Sequence, residues 1–192
     1  LSFVYPIARG TAVALVPIVG MLLIKESVSI IALIGVVVVF FGIFTLGNIT
    51  HMKSVNSSDL FLSLITGITV TSYTIVDKYA VSLINPFFVF SISSFLGGFL
   101  SITLIDKRIN HFFLIAKNNL RIIFTISFFS AVAYTLVLYA YKYSEVSLVT
   151  PLREVQTAIA AIMGIVLLKE ELKLYKIIGV SLIVVGAVLI TY

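Results

Sequence analysis

The chain has 192 residues, of which 60% are hydrophobic and 11% charged, and its formal net charge is +5. A soluble domain carries about 25% charged residues, so this composition and a mean hydropathy of +1.20 exclude a soluble globular protein. The long unbroken apolar runs exclude a β-barrel, whose strands alternate over about ten residues. The sequence therefore predicts an all-α polytopic membrane protein. There is no cysteine, which excludes disulfides and thiolate metal sites.

Seven apolar segments follow one another along the chain, each close to the roughly 20 residues that a membrane-spanning helix needs. They cover approximately residues 2–24, 28–47, 59–81, 86–105, 120–141, 146–168 and 174–192. The polar stretches 48–58 and 106–119 are predicted loops, and the first of them is a predicted linker between two halves. The basic residues lie in loops and at segment ends, so nucleic-acid binding is not expected.

The last two segments repeat the first two in one common register, which indicates an internal duplication. The matching positions are Arg9 and Arg153, Gly20 and Gly164, Lys25-Glu26 and Lys169-Glu170, Gly35 and Gly179, and Gly42 and Gly186. An odd number of segments separates equivalent positions, so the second copy is predicted to cross the membrane in the opposite direction. Inverted repeats are typical of secondary transporters. Apolar composition alone does not explain a shared register of an arginine, glycines and a charged turn.

The order of motifs in both copies resembles the EamA family of the drug/metabolite transporter superfamily. Each copy has a proline shortly before its arginine, then a Leu-Leu turn that ends in acidic residues, then a helix with two glycines seven positions apart. These motifs are Pro6 to Arg9 and Pro151 to Arg153, residues 22–26 and 167–171, and the glycine pairs of the second and seventh segments. Residues 73–78, at the end of the third segment, resemble the first helix of such a half.

The resemblance implies a ten-helix carrier built from two inverted repeats of five helices. In this reading, residues 1–47 are the last two helices of the first repeat, 48–58 are the linker, and 59–192 are the complete second repeat. Three helices are then expected to precede Leu1 in the natural protein, so the chain would be truncated at its N-terminus. Such a carrier moves small metabolites, such as amino acids or related organic solutes, across a cytoplasmic membrane by alternating access.

Arg9 and Arg153 are the leading candidate substrate ligands. Each lies about eight residues inside its segment, roughly 12 Å along a helix. A charge at that depth costs at least about 2.5 kcal/mol and marks a binding site or a buried pair. Pro6 and Pro151 precede them and would free backbone carbonyls nearby. We expect the guanidiniums to hold an anionic group of the substrate, unless Arg153 pairs with Glu154 or reaches the membrane surface.

Four further side chains are candidate substrate contacts. Gln156 and Thr157 lie on the same helix face as Arg153 and could complete a polar site. Hydrogen bonding between helices is the alternative role for both. Tyr73 and Tyr134 could line a cavity, although membrane tyrosines also serve in packing and in the interfacial aromatic belt.

Two carboxylates are candidates for proton coupling. Glu154 is the deeper of the two and the better candidate. Asp77 stands at the end of the third segment beside Lys78, where an interface position in contact with water is the alternative. Neutralising the coupling carboxylate is expected to remove the dependence of flux on a pH gradient.

The recurring Lys-Glu turns are interpreted as structural, since at membrane surfaces they would cap helix ends and fix tight hairpins. The paired glycines of the second and seventh segments predict a stripe that allows close approach of two helix backbones. Gly97 and Gly98 predict close packing in the fourth segment as well.

Two other function classes compete with a carrier. A membrane-embedded enzyme or lipid-handling protein would need paired histidines, serine with histidine, or a carboxylate cluster inside the membrane. His51 and His111 both lie in predicted loops, so we expect no enzyme, no metal and no cofactor. A seven-helix receptor fits the segment count but not the inverted pair.

The expected partners are a small-molecule substrate and the lipid bilayer, and a homodimer is left open. Substrate identity, direction of transport and coupling ion also stay open. Loops on the side of residues 106–119 carry more Lys and Arg, which would place that loop in the cytoplasm and the C-terminus outside. The family usually has both ends inside, so orientation stays open too.

Overall fold

The computed structural model describes residues 4–47, 57–104 and 116–192. The helices are α1 (Val4–Val19, continued by a π-helical turn, Gly20–Ile24), α2 (Ile30–Leu46), α3 (Ser57–Leu83), α4 (Pro86–Leu104), α5 (Leu120–Tyr143), α6 (Val146–Leu152), α7 (Val155–Leu167) and α8 (Leu174–Ile190). No strand occurs in this described part of the chain. The predicted all-α class is confirmed.

Within residues 4–47, 57–104 and 116–192, five helical stretches are long and apolar enough to cross a membrane, judged by length and composition. They are Val4–Ile24, Ser57–Leu83, Pro86–Thr103, Leu120–Tyr143 and Val146–Leu167. The apolar helices α2 and α8 are shorter, at 17 residues each. These stretches agree with the predicted multi-pass membrane protein, whereas seven crossings and a truncated ten-helix parent stay predictions.

Local sequence explains where helices begin. Ser29 caps α2, because its Oγ accepts a hydrogen bond from the Ala32 backbone N–H at 3.1 Å. Pro86 occupies the first position of α4, where its missing N–H costs nothing. Asn85 Oδ1 accepts from the Phe87 N–H at 2.9 Å and satisfies another free donor of that first turn.

The observed helices depart from the predicted segments in two places. α3 begins at Ser57, inside the predicted linker, and continues to Leu83. The rest of the linker and most of the predicted loop 106–119, with both histidines, lie outside the described residues. The sixth segment is interrupted at residues 153–154 and forms two helices. The predicted domain boundaries stay a prediction.

The chain divides into two compact units, Leu1–Val76 with Ser144–Tyr192, and Asp77–Tyr143. The first unit contains both copies of the repeated pair, namely α1 with α2 and α6–α7 with α8. Its core is formed mainly where these copies meet. The buried residues of this core are Val13, Val36, Val39, Ile43, Ala158, Ile183 and Ile190.

α2 and α8 pack backbone to backbone through the predicted glycines. A Cβ atom built on Gly35 would lie 2.7 Å from the carbonyl oxygen of Gly186, and the reverse distance is also 2.7 Å. Likewise, a Cβ on Gly42 would lie 3.1 Å from the carbonyl oxygen of Gly179. The first glycine of each helix thus meets the second glycine of the other, so the helices run antiparallel. The predicted close approach is confirmed, and the antiparallel direction agrees with inverted copies.

The two hairpin turns share an unusual backbone conformation. Lys25 and Lys169 have φ values of 60° and 52° and are the non-glycine residues with positive φ in the described chain. Such a conformation is uncommon outside glycine, so its occurrence at equivalent positions supports duplication. In both turns the glutamate N–H donates to the glycine carbonyl six positions earlier at 3.3 Å: Glu26 to Gly20, and Glu170 to Gly164.

The second unit contains the end of α3 together with α4 and α5. The Lys78 ammonium donates to the carbonyl oxygen of Tyr141 at 2.7 Å, near the C-terminal end of α5. The Tyr139 hydroxyl donates to Asn85 Oδ1 at 3.3 Å. A Cβ on Gly97 or Gly98 would have no neighbour within 4 Å among the described residues. The close packing expected at these two glycines is therefore not observed.

The two classes of glycine allow a matched test of the interface. Gly186→Ala places a methyl group against the backbone of α2, and overpacking of this kind costs about 1–3 kcal/mol. We expect a lower thermal midpoint in detergent for this variant. Gly97→Ala adds the same methyl group in open space and should leave the midpoint unchanged or slightly raised. Equal midpoints for the two variants would contradict close packing of α2 on α8.

Candidate functional site

The break between α6 and α7 sets the position of Glu154. Pro151 has no N–H, so it cannot donate to the carbonyl four residues earlier. After Pro151, two backbone hydrogen bonds span three residues instead of four. The Glu154 N–H donates to the Pro151 carbonyl at 3.0 Å, and the Thr157 N–H donates to the Glu154 carbonyl at 2.9 Å. Glu154 therefore lies at an interruption about 12 Å from the start of α6, at 1.5 Å per residue.

Arg9 and Glu154 form an ion pair that joins the two copies. Arg9 Nη1 lies 3.4 Å from Glu154 Oε1, with side-chain exposures of 22% and 2%. Arg9 comes from α1 in the first copy, and Glu154 from the helix break in the second. Each charge would be costly inside a membrane by itself, and pairing offsets part of that cost.

Tyr5 orients the Arg9 guanidinium. Arg9 Nε donates to the Tyr5 hydroxyl at 3.2 Å, and the guanidinium carbon lies 5.5 Å from the centroid of the Tyr5 ring. The sequence interpretation missed this residue. A tyrosine four positions before an arginine on one helix face was the available signal, because such residues are neighbours.

Thr157 holds the second oxygen of Glu154. Its Oγ1 donates to Glu154 Oε2 at 2.9 Å, so one carboxylate oxygen faces Arg9 and the other a hydroxyl. Arg153 and Tyr73 are close enough to interact electrostatically with Glu154 and Arg9, respectively. Five of the candidate residues therefore lie near one another: Arg9, Tyr73, Arg153, Glu154 and Thr157.

The remaining candidates lie elsewhere. Gln156 is exposed on α7, and the contacts described for the ion pair do not include its side chain. Asp77 and Tyr134 meet in the second unit, where the Tyr134 hydroxyl donates to Asp77 Oδ2 at 2.5 Å. Asp77 is only 9% exposed. Both interpretations of Asp77, in proton coupling and at an interface in contact with water, stay predictions.

A cavity lies beside the ion pair in the first unit. Its volume is about 310 Å³, close to the lower end of the roughly 300–1,000 Å³ of small-molecule sites. Tyr5 and Thr157, which contact the two charged residues, are part of its lining, together with Glu170 and Lys176. A small solute in this cavity would lie next to the residues that hold the ion pair.

The turn between α7 and α8 carries two further ion pairs. Lys176 Nζ lies 2.7 Å from Glu170 Oε2, and Lys173 Nζ lies 3.1 Å from Glu171 Oε2. A hydrogen bond to Glu171 and its negative charge raise the pKa of Lys173. The Lys173 and Glu171 side chains are 53% and 81% exposed, so their pair contributes little to stability. These charges fit the structural role expected for the turn.

Chemically, the guanidinium of Arg9 is a group that can bind an anion. An arginine presents a planar fork of donors suited to a carboxylate, and Glu154 already occupies part of it. A second carboxylate could replace Glu154, provided that Glu154 is neutralised. Within the described residues, no group of three or more His, Cys, Asp or Glu side chains could hold a metal ion.

Comparison with protein families gives one informative result. The model of the EamA-like transporter family matches residues 57–192. Comparison with curated proteins and with solved structures finds no match. The family match covers more than half of the chain and includes α3 to α8. The chain therefore belongs to the EamA-like transporter family and is a multi-pass membrane transporter of the drug/metabolite type.

Proposed function

We propose that the protein transports small carboxylate-bearing metabolites, such as amino acids or related organic solutes, by alternating access between its inverted copies. The observation that carries this proposal is the Arg9–Glu154 ion pair, which joins one copy to the other at a helix break. Interrupted helices at a repeat interface are where secondary transporters place their substrate sites. The cell membrane is the proposed location, and a homodimer stays a prediction.

The proposed binding step is an exchange of carboxylates at Arg9. The solute carboxylate takes the place of Glu154, and Glu154 accepts a proton as its cationic partner is withdrawn. The buried position of Glu154 supports this step, because an unpaired buried charge is expensive. Solute binding is thereby linked to uptake of a proton.

The neighbouring candidates have proposed supporting roles. Thr157 holds Glu154 in place and can donate to a bound solute once Glu154 is protonated. Arg153 supplies a second positive charge, and Tyr73 and Gln156 are proposed contacts for the remainder of the solute. In the second unit, Asp77 with Tyr134 is the proposed alternative proton carrier.

Arg9→Ala tests the solute site. Losing one partner of a buried charged contact costs about 2–5 kcal/mol, so we expect uptake efficiency for carboxylate solutes to fall at least about 30-fold. Proteoliposomes offered a panel of radiolabelled amino and dicarboxylic acids supply the measurement. Arg121→Ala, at the exposed start of α5, is the matched control and should retain transport.

A second variant separates binding from folding. Arg9→Ala leaves Glu154 buried without its partner, which by itself can destabilise the protein. Arg9→Ala combined with Glu154→Gln removes both charges and should restore thermal stability without restoring transport. Recovery of carboxylate uptake in this double variant would contradict a role for Arg9 in binding.

Glu154→Gln tests proton coupling. The charged or titratable groups facing Glu154 are Arg9 and Arg153, and both remain in this variant. We expect solute exchange to continue while the dependence of net flux on an imposed pH gradient disappears. Glu171→Gln, an exposed carboxylate on the α7–α8 turn, is the control and should keep that dependence. A Glu154→Gln protein still driven by the gradient would exclude Glu154 and favour Asp77.

A further inference from the structure

The two copies are also joined by hydrogen bonds between the first hairpin turn and the start of α6. Glu26, in the first hairpin turn, holds the start of α6 in the second copy. Its Oε1 accepts from the Val146 N–H at 2.8 Å, and its Oε2 accepts from the Ser147 N–H at 3.0 Å and the Ser147 hydroxyl at 2.5 Å. The Lys-Glu turns were expected to cap helix ends and to fix tight hairpins. Glu26 caps the start of a helix that belongs to the opposite copy.

A second carboxylate reciprocates this contact. Glu145 Oε1 accepts from the Ser27 N–H at 3.3 Å and from the Ser27 hydroxyl at 3.4 Å. Residues 26–27 and 145–147 together are named the clasp. Each copy thus contributes one carboxylate and a set of N–H and O–H donors. Hydrogen bonds to an ionised carboxylate are stronger than those between neutral groups.

A line of buried polar side chains leads from the clasp to the ion pair. Ser147, Thr150 and Glu154 are 0%, 6% and 1% exposed, and their spacing of three and four residues places them on one helix face. Ser147 belongs to the clasp, and Glu154 binds Arg9. α6 is only seven residues long, so it connects both contacts as one short rigid element.

We propose that the clasp is a gate that closes one end of the solute path, and that α6 couples its opening to the Arg9–Glu154 pair. This inference rests on the proposed alternating-access transport. The buried polar face of α6 is then the wall of the path, which becomes wet when the clasp opens. Movement of α6 would release Glu26 at one end and shift Glu154 at the other.

The duplication predicts a counterpart at the other end. Because α2 and α8 are antiparallel, the two hairpin turns lie at opposite ends of the helix pair. Glu170 is the equivalent of Glu26, and it is bound to Lys176 with 49% of its side chain exposed. The positions that the register would place opposite Glu170, residues 2 and 3, lie outside the described residues.

Labelling of one engineered cysteine tests the gate without any solute. The chain contains no cysteine, so Thr150→Cys introduces one reporter behind the clasp. In proteoliposomes, a membrane-impermeant maleimide should label this reporter slowly. Adding Glu26→Gln weakens three charge-assisted bonds, and we expect labelling to accelerate about tenfold or more. Ser147→Ala removes the hydroxyl donor alone and should give a smaller acceleration.

Glu171→Gln provides the matched control, because it neutralises an exposed carboxylate of the other turn and should leave the labelling rate unchanged. Labelling of folded Glu26→Gln at the parental rate would overturn the gate. If Glu26→Gln does not fold, the Ser147→Ala rate decides instead, and an unchanged rate overturns the proposal. The labelling experiment needs no solute. If labelling accelerates as expected but no carboxylate is transported, the gate stands and only the proposed substrate is refuted.

Discussion

The close antiparallel contact of α2 with α8 is the constraint on which the rest of the first unit depends. Its glycines bring two helix backbones together at equivalent points of the two copies. With this contact fixed, α1 of one copy meets the helix break of the other, and the first hairpin turn meets the start of α6. The ion pair and the clasp are thus both consequences of one packing arrangement.

The first unit combines a tight contact between helix backbones with polar contacts between side chains. The glycine contact leaves no room for a side chain, because a Cβ atom there would strike the backbone of the other helix. The ion pair and the clasp are instead made by side chains, whose hydrogen bonds can be exchanged for those of water or a solute. A fixed α2–α8 pair beside breakable polar contacts is what the proposed movement of α6 requires.

The sequence predicted the scaffold better than the site. Apolar length and the register of Gly35, Gly42, Gly179 and Gly186 were sufficient for the helices and their close approach. The partner of Arg9 was not predictable, because it depends on how the copies are placed in space. The same holds for Glu26, whose contacts at Ser147 lie more than a hundred residues away. The break after Pro151 had a local signal that the segment count overlooked.

The central claim is that the Arg9–Glu154 contact joins the copies and opens for a carboxylate solute. A double-mutant cycle with Arg9→Ala and Glu154→Gln, read by thermal stability, measures the coupling between the two residues directly. Without solute, the account requires a coupling energy of about 0.5–3 kcal/mol, and at saturating concentrations of a transported carboxylate this energy should approach zero. A coupling energy that is absent without solute, or unchanged by it, would contradict the account.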